Sequence, residues 1–262
     1  MATVAAGVIA DPRRYEECFW WLVRDTAGKV VGAAFRTTPH VLGLGPMPNG
    51  AATAIAEYVV NADAELPGLI GLPVLVGAFT DAFTASVGRG APRFRIERRD
   101  VLYAVDRLIP PTVPGEAGVA TEADLVLAEA WLADFATEID GARPEPDEAS
   151  RAALLGVLRD GRLHWWRDRG EIVSMAGHNV TVTARGVGVT RVGPVFTPRS
   201  KRRQGYAAGV TAAVTARLLD AGSRVMLFAD ESNATSNAVY RSLGYQPVDV
   251  LVLARAHAVS AA

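Results

Sequence analysis

The sequence predicts an α/β (α+β) protein built as two domains in tandem, and three observations predict it. Short apolar, strand-like runs alternate with segments of helical period along the 262 residues. Near the middle, Ile109-Pro110-Pro111-Thr112-Val113-Pro114-Gly115 interrupts both patterns, since proline and glycine suit neither strand nor helix interiors. The two halves then repeat one another in the order of their elements. The expected division is a first domain over residues 1–108, a linker over 109–116 and a second domain over 117–262.

In the second half, the pattern predicts a helix from about Glu122 to Ile139 with Thr121 or its neighbour as its cap. A turn near Pro144 and Pro146 leads to a helix from Glu148 to Arg159. Strands from Arg162 to Arg167 and from Glu171 to His178 are joined by the hairpin-like Asp168-Arg169-Gly170. A strand from Gly188 to Phe196, a helix from Tyr206 to Ala221 and a strand from Arg224 to Ala229 follow. A helix from Ser236 to Leu243 and a strand from Gln246 to Arg255 complete the half.

The first half echoes this order. Gly28–Ala34 parallels Gly170–Ala176, and Gly45-Pro46-Met47-Pro48 parallels the stretch from Gly193 to Pro198. A helix from Ala51 to Val60 comes next, and Leu69–Phe79 reads as a strand. Asp81–Gly88 lies over Asn237–Gly244, which puts Thr84 where the second half has Tyr240. The first half has no basic loop between its strand and helix, so it is expected to shape the protein without holding an anion.

Composition narrows the function classes. A net charge of -1 gives no global attraction to nucleic acid or to an anionic membrane surface. The single cysteine, Cys18, excludes an internal disulfide, and no apolar run reaches the length of a membrane span. A soluble, cytoplasmic monomer or homodimer is expected. His40, His164, His178 and His257 show no ligand spacing with Cys18 or each other, so no metal is expected.

Residues 195–207 carry the most chemistry. Arg199, Lys201, Arg202 and Arg203 stand between a strand and a helix, with Gly205 immediately before the helix start. The first amides of a helix lack intrahelical partners and attract anions, and glycine lets the backbone approach a ligand closely. The stretch reads as a pyrophosphate site. It lacks the G-x-x-x-x-G-K-[ST] pattern that would hold a nucleoside triphosphate with Mg²⁺.

Arg202-Arg203-Gln204-Gly205-Tyr206-Ala207 fits the R-x-x-G-x-A signature of the GNAT superfamily of acyl-CoA-dependent N-acetyltransferases. Downstream, Asn233 to Tyr245 is similar to that family's N-x-x-[SA]-x-x-x-Y-x-x-x-G-[FY] segment, with Ser236, Tyr240, Gly244 and Tyr245 in place. The resemblance implies a mixed, mostly antiparallel sheet flanked by helices in each half. It implies acetyl-CoA as cosubstrate and a primary amine, on a small molecule or a peptide, as acceptor.

By the same resemblance, amides of Arg203, Gln204, Gly205, Tyr206 and Ala207 would cradle the pyrophosphate, with Arg202 opening the loop. The backbone of Val195 and Phe196 would pair with the pantetheine arm. Asn233 would bond that arm or an ordered water, and Asn237 would face the cofactor or solvent. Tyr240 would protonate the departing thiolate, its phenol remaining protonated at neutral pH with a reference pKa of about 10.

The general base is not legible. His178 is one candidate, with a hydrogen-bonded strand-edge histidine as the plain alternative; Glu171 and Glu231 are others. From Glu116 to Ser150 there are ten Asp or Glu residues and one Arg, which would concentrate a cationic amine or form ordinary solvated helix faces. Trp131, Phe135, Trp165 and Trp166 suit a pocket or a core. A non-catalytic acyl-CoA sensor is the alternative function.

Overall fold

Cys18–Arg24 is a continuous apolar run closed by an arginine, and it forms strand β1, its side chains alternating between more and less exposed as strand geometry requires. The computed structural model describes residues 8, 17–62, 66–145, 147–184 and 186–258. The expected turn residue Pro146 lies outside them. After β1 come β2 (Val30–Thr37), β3 (Leu42–Leu44), helix α1 (Asn49–Ala62), β4 (Gly68–Gly71), α2 (Pro73–Val87) and β5 (Arg93–Val105). Next are β6 (Glu116–Val119), a single 3₁₀ turn (Glu122–Asp124), α3 (Leu125–Asp140) and α4 (Glu148–Arg159). Strands β7 (Leu163–Asp168), β8 (Glu171–His178), β9 (Val182–Ala184) and β10 (Val187–Phe196) lead to a second 3₁₀ turn (Arg199–Lys201). Helix α5 (Tyr206–Asp220), β11 (Arg224–Asp230), α6 (Ala234–Ser242) and β12 (Gln246–His257) complete the chain.

Two compact units result. The first holds the chain up to Leu102, Ala229–Asn233 and the chain from Val248 onward; the second holds Tyr103–Phe228 and Ala234–Pro247. Chain order therefore does not define them: the last strand, β12, pairs antiparallel with β4 of the first unit, Val252 opposite Gly71. The proline-rich stretch 109–115 carries no strand or helix, whereas Glu116 already begins β6.

Within the first unit β1–β2 and β2–β3 are antiparallel and β3–β4 is parallel, the last pair being joined through α1. In the second unit β7–β8 and β8–β10 are antiparallel and β10–β11 is parallel, joined through α5. The same order of pairings occurs in both units. Each sheet is mixed and mostly antiparallel, and the repeat read from short sequence echoes is carried by the topology.

β6 and β9 add to the expected strands, and one expected strand takes another form. Leu69–Phe79 is not one strand: β4 stops at Gly71 and α2 begins at Pro73. Proline is pre-set for the first helical turn, and Leu75, Val76, Phe79 and Phe83 then line one buried face. Phe79 and Phe83 are fully buried; shielding each from water is worth about 1.5–3 kcal/mol, more than local strand preference can offset. This face packs into the first unit's core with Leu42, Leu69, Val252 and Ala254.

The second unit's core lies between the sheet and α3 and α4, around Trp165, Met175, Leu163, Leu154 and Phe196. The expected cap holds: Thr121 and Asp124 form a reciprocal capping box at the 3₁₀ turn that opens α3. On the opposite face Gly209 of α5 sits over Trp166, where an added Cβ would come within 2.8 Å of the indole.

Candidate active site

The loop from Thr197 to Gly205 leads into a run of backbone amides without protein acceptors among the described residues. Arg203 has φ 63° and Gly205 φ 82°, both left-handed, and Gly205 caps α5 without any side-chain hydrogen bond. The first intrahelical bond is Gly209 N–H to Gly205 O, at 3.0 Å. Among the described residues, the six successive amides from Arg203 to Ala208 donate to no protein acceptor. Such a run of oriented N–H groups, at the positive end of a helix, can receive an anion. A left-handed Arg203 costs about 1–3 kcal/mol and persists only where its surroundings hold it. Gly205 is needed for space as well as conformation, because its Cβ would stand 3.0 Å from Val113 Cγ2.

The cations around this loop do not act alike. Arg202 donates through Nε to Thr197 O at 2.9 Å and through Nη2 to both oxygens of Glu138, at 2.7 and 2.6 Å. Arg199 reaches the same carboxylate at 3.3 Å, and Lys201 pairs with Glu171 at 2.6 Å. Of the four cations only Arg203 forms no ion pair among the described residues. The other three spend their charge on the fold.

The strand entering the loop is open along one side. β10 pairs with β11 only at Val189, Thr190 and Arg191, and with β8 at Val192, Val195 and Phe196. Among the described residues β10 has no ladder to β11 beyond Arg191, so Val195 and Phe196 sit where an extended, amide-bearing ligand could add as a strand. Phe196's side chain packs into the core, and its carbonyl accepts from Ser174 Oγ at 3.0 Å.

Tyr240, on α6, is buried with its ring 6.2 Å from Tyr103 and 6.1 Å from Tyr245. None of the hydrogen bonds among the described residues uses its hydroxyl. Burial pushes the phenol up to about 12, because the anion would be poorly solvated. Asn237 is buried, and Tyr103 donates to its Oδ1 at 2.8 Å. The side chain expected to face cofactor or solvent is thus bonded within the fold. Asn233 belongs to the first unit, where its amide donates to Asp230 O.

His178 ends β8. Its Nδ1 lies 3.0 Å from Asn179 O; a carbonyl only accepts, so Nδ1 carries the proton and Nε2 is left as the acceptor. Burial holds its pKa below the usual imidazole range. The ring stacks on His164 at 5.7 Å, and burial pushes His164 down to about 4. The other base candidates are committed at the surface, Glu171 to Lys201 and Glu231 to Arg99.

Part of the acidic run over 116–150 is paired with arginine, Glu138 with Arg199 and Arg202 included. Glu122 pairs with Arg159, Glu129 with Arg151, Asp134 with Arg143, and Asp147 caps α4. The four aromatics are core: Trp131 lies edge-on to Trp165 at 5.4 Å and to Phe196 at 5.8 Å, Phe135 packs with them, and Trp166 lies beneath α5. Sequence reasoning missed Tyr103 and Glu138. No local signal marks Tyr103, which meets Asn237 across 134 positions of chain.

Comparison with known proteins places this geometry. Residues 171–252, which contain β8, the loop and Tyr240, match the family described as FR47-like protein. Among solved structures, a GCN5-related N-acetyltransferase from Kribbella flavida has 21% identity, over 97% of this chain and 95% of that one, with a TM-score of 0.60. A GCN5-related N-acetyltransferase from Sphaerobacter thermophilus has 18% identity over 90% and 79%, with a TM-score of 0.63. A tandem GNAT protein from the clavulanic acid biosynthesis pathway has 16% identity over 99% and 89%, with a TM-score of 0.60. No curated protein matches the sequence. The chain has the GNAT fold in its tandem form, and the FR47-like segment falls on the second repeat. Among the described residues no helix is long and apolar enough to cross a membrane.

Proposed function

We propose that this chain is an N-acetyltransferase that moves the acetyl group of acetyl-CoA to a primary amine of a small molecule or peptide, at a site in its second unit. The observation that carries the reading is the run of six amides, Arg203 to Ala208, without acceptors at the end of a strand with one free edge. A pyrophosphate has the oxygens those amides lack, and a pantetheine arm has amides to match the free edge of Val195 and Phe196. Arg203, Gln204, Gly205, Tyr206 and Ala207 hold the pyrophosphate, and Arg203 adds the one uncommitted charge. The FR47-like match and the fold of the compared structures support acyl transfer in general.

Acetyl-CoA supplies the thioester; the chain supplies position and protons. The amine attacks the thioester carbon directly as the carbon–sulfur bond breaks. Tyr240, protonated throughout the neutral range, gives its proton to the leaving sulfur. His178, neutral at the same pH, accepts the ammonium proton at Nε2, through water where direct reach is lacking. The first repeat lacks these parts: its loop over 45–48 carries two prolines and no cation, and Thr84 occupies the position of Tyr240. It serves as scaffold.

Calorimetric titration with acetyl-CoA, beside thiol release over a panel of amines, tests the reading. The parent should bind, while Arg203→Glu and Gly205→Trp should lose about tenfold or more in affinity with the fold retained. A parent that does not bind acetyl-CoA sinks the assignment. Binding without thiol release on any amine would instead favour the acyl-CoA sensor.

A further inference from the structure

Glu138 occupies a poor place for a carboxylate. It lies in the last turn of α3, where the helix dipole presents its negative end. Two guanidiniums compensate, since Arg199 and Arg202 both donate to it, and its side chain is 30% exposed. Arg202 is also tied through Nε to Thr197 O, at the mouth of the loop. Inside the loop the backbone bonds are few: Lys201 N–H to Pro198 O at 2.8 Å, and Arg202 N–H to Arg199 O at 3.4 Å. From Arg203 to Gly205 no amide hydrogen bond to protein fixes the chain among the described residues, and here the left-handed conformations begin.

We propose that Glu138 is the positioning residue of the anion loop, clamping Arg202 and Arg199 so that the amides of Arg203 to Ala208 converge on a diphosphate. This rests on the acyl-CoA reading and adds a division of labour to it. Arg202, the first residue of the loop signature, acts mainly through protein partners, and the phosphate is held by backbone and Arg203. A competing role is conceivable on the same contacts, with Glu138 as a stand-in anion that the phosphate displaces. The geometry favours the clamp. Arg202's Nε is already fixed on Thr197 O, and its outer nitrogen spans both carboxylate oxygens, so reaching a ligand would require breaking bonds at both ends. The clamp also links α3 to the loop.

The clamp and the stand-in predict opposite signs for Glu138→Gln. Under the clamp, CoA affinity measured by calorimetry falls about fivefold, and Glu138→Asp falls less. Arg202→Gln gives a similar loss, and the double variant is no worse than either single one, because both remove the same contact. S-acetyl-pantetheine, which has the thioester and no diphosphate, provides the readout that general damage would move: its turnover stays unchanged in Glu138→Gln. Unchanged or tighter CoA binding by Glu138→Gln overturns the clamp while leaving the acyl-CoA reading intact. So does a double variant whose losses multiply, or an equal loss of turnover with S-acetyl-pantetheine. A parent protein that fails to bind CoA removes the underlying reading instead.

Discussion

Replacing Tyr240 by Phe separates chemistry from packing. The ring contacts to Tyr103 and Tyr245 survive the change, and no hydrogen bond among the described residues depends on the hydroxyl. Stability at pH 8 should therefore shift by less than about 1 kcal/mol. Alkaline behaviour should differ. Burial raises the phenol from 10.0 to about 12 in the fold. Between those values the unfolded chain has lost a proton that the folded chain keeps, so stability falls as pH rises. A displacement of this size costs the parent about 3 kcal/mol by pH 12. Tyr245 is displaced in the same direction by burial and adds to the slope, so the Phe variant should keep only that share. Urea midpoints of the two proteins should coincide at pH 8 and separate above pH 10, the variant becoming the more stable. If the hydroxyl is the proton donor, kcat falls by about 100-fold while acetyl-CoA affinity is retained. An unchanged kcat would refute the donor role. A loss of several kcal/mol at pH 8 would show that the hydroxyl is bonded within the fold.

Two histidine predictions follow from the same linkage with the opposite sign. Burial lowers His164 from 6.5 to about 4, so its share of stability is complete above pH 6.5 and is lost as pH falls toward 4. That amounts to about 3 kcal/mol, and His164→Leu, which also removes a buried unpartnered Nε2, should flatten the acid side of a denaturant series; an undiminished slope would place the titration elsewhere. For His178, also depressed by burial, kcat/KM should fall along an acid limb with its midpoint below 6.5. His178→Gln should lower the plateau and abolish that limb; a persisting limb would assign the base to another group.

The basic loop, its glycine and the downstream tyrosine segment were legible because each is local: a strand end, a left-handed glycine and a helix start follow within a dozen residues. Most second-half elements came within a few residues of their bounds for the same reason, and α4 and β8 matched outright. Leu69–Phe79 misled because a continuous apolar run fits a strand and a buried helix equally, and the decisive cue was Pro73. Charge counting could not show which charges pair, as Glu138 does with Arg199 and Arg202 and Glu171 with Lys201.

By itself, then, the sequence determined most elements of the second half, the repeat and the strand–basic loop–helix succession, all set by local dihedral preference and short-range pattern. Tertiary structure decided the rest. Only folding could deliver β12 to the first unit, set Tyr103 against Asn237 and Tyr240, and commit Arg199 and Arg202 to Glu138. Those outcomes depend on contacts between residues far apart along the chain, where burial and pairing outweigh anything a neighbouring residue can signal.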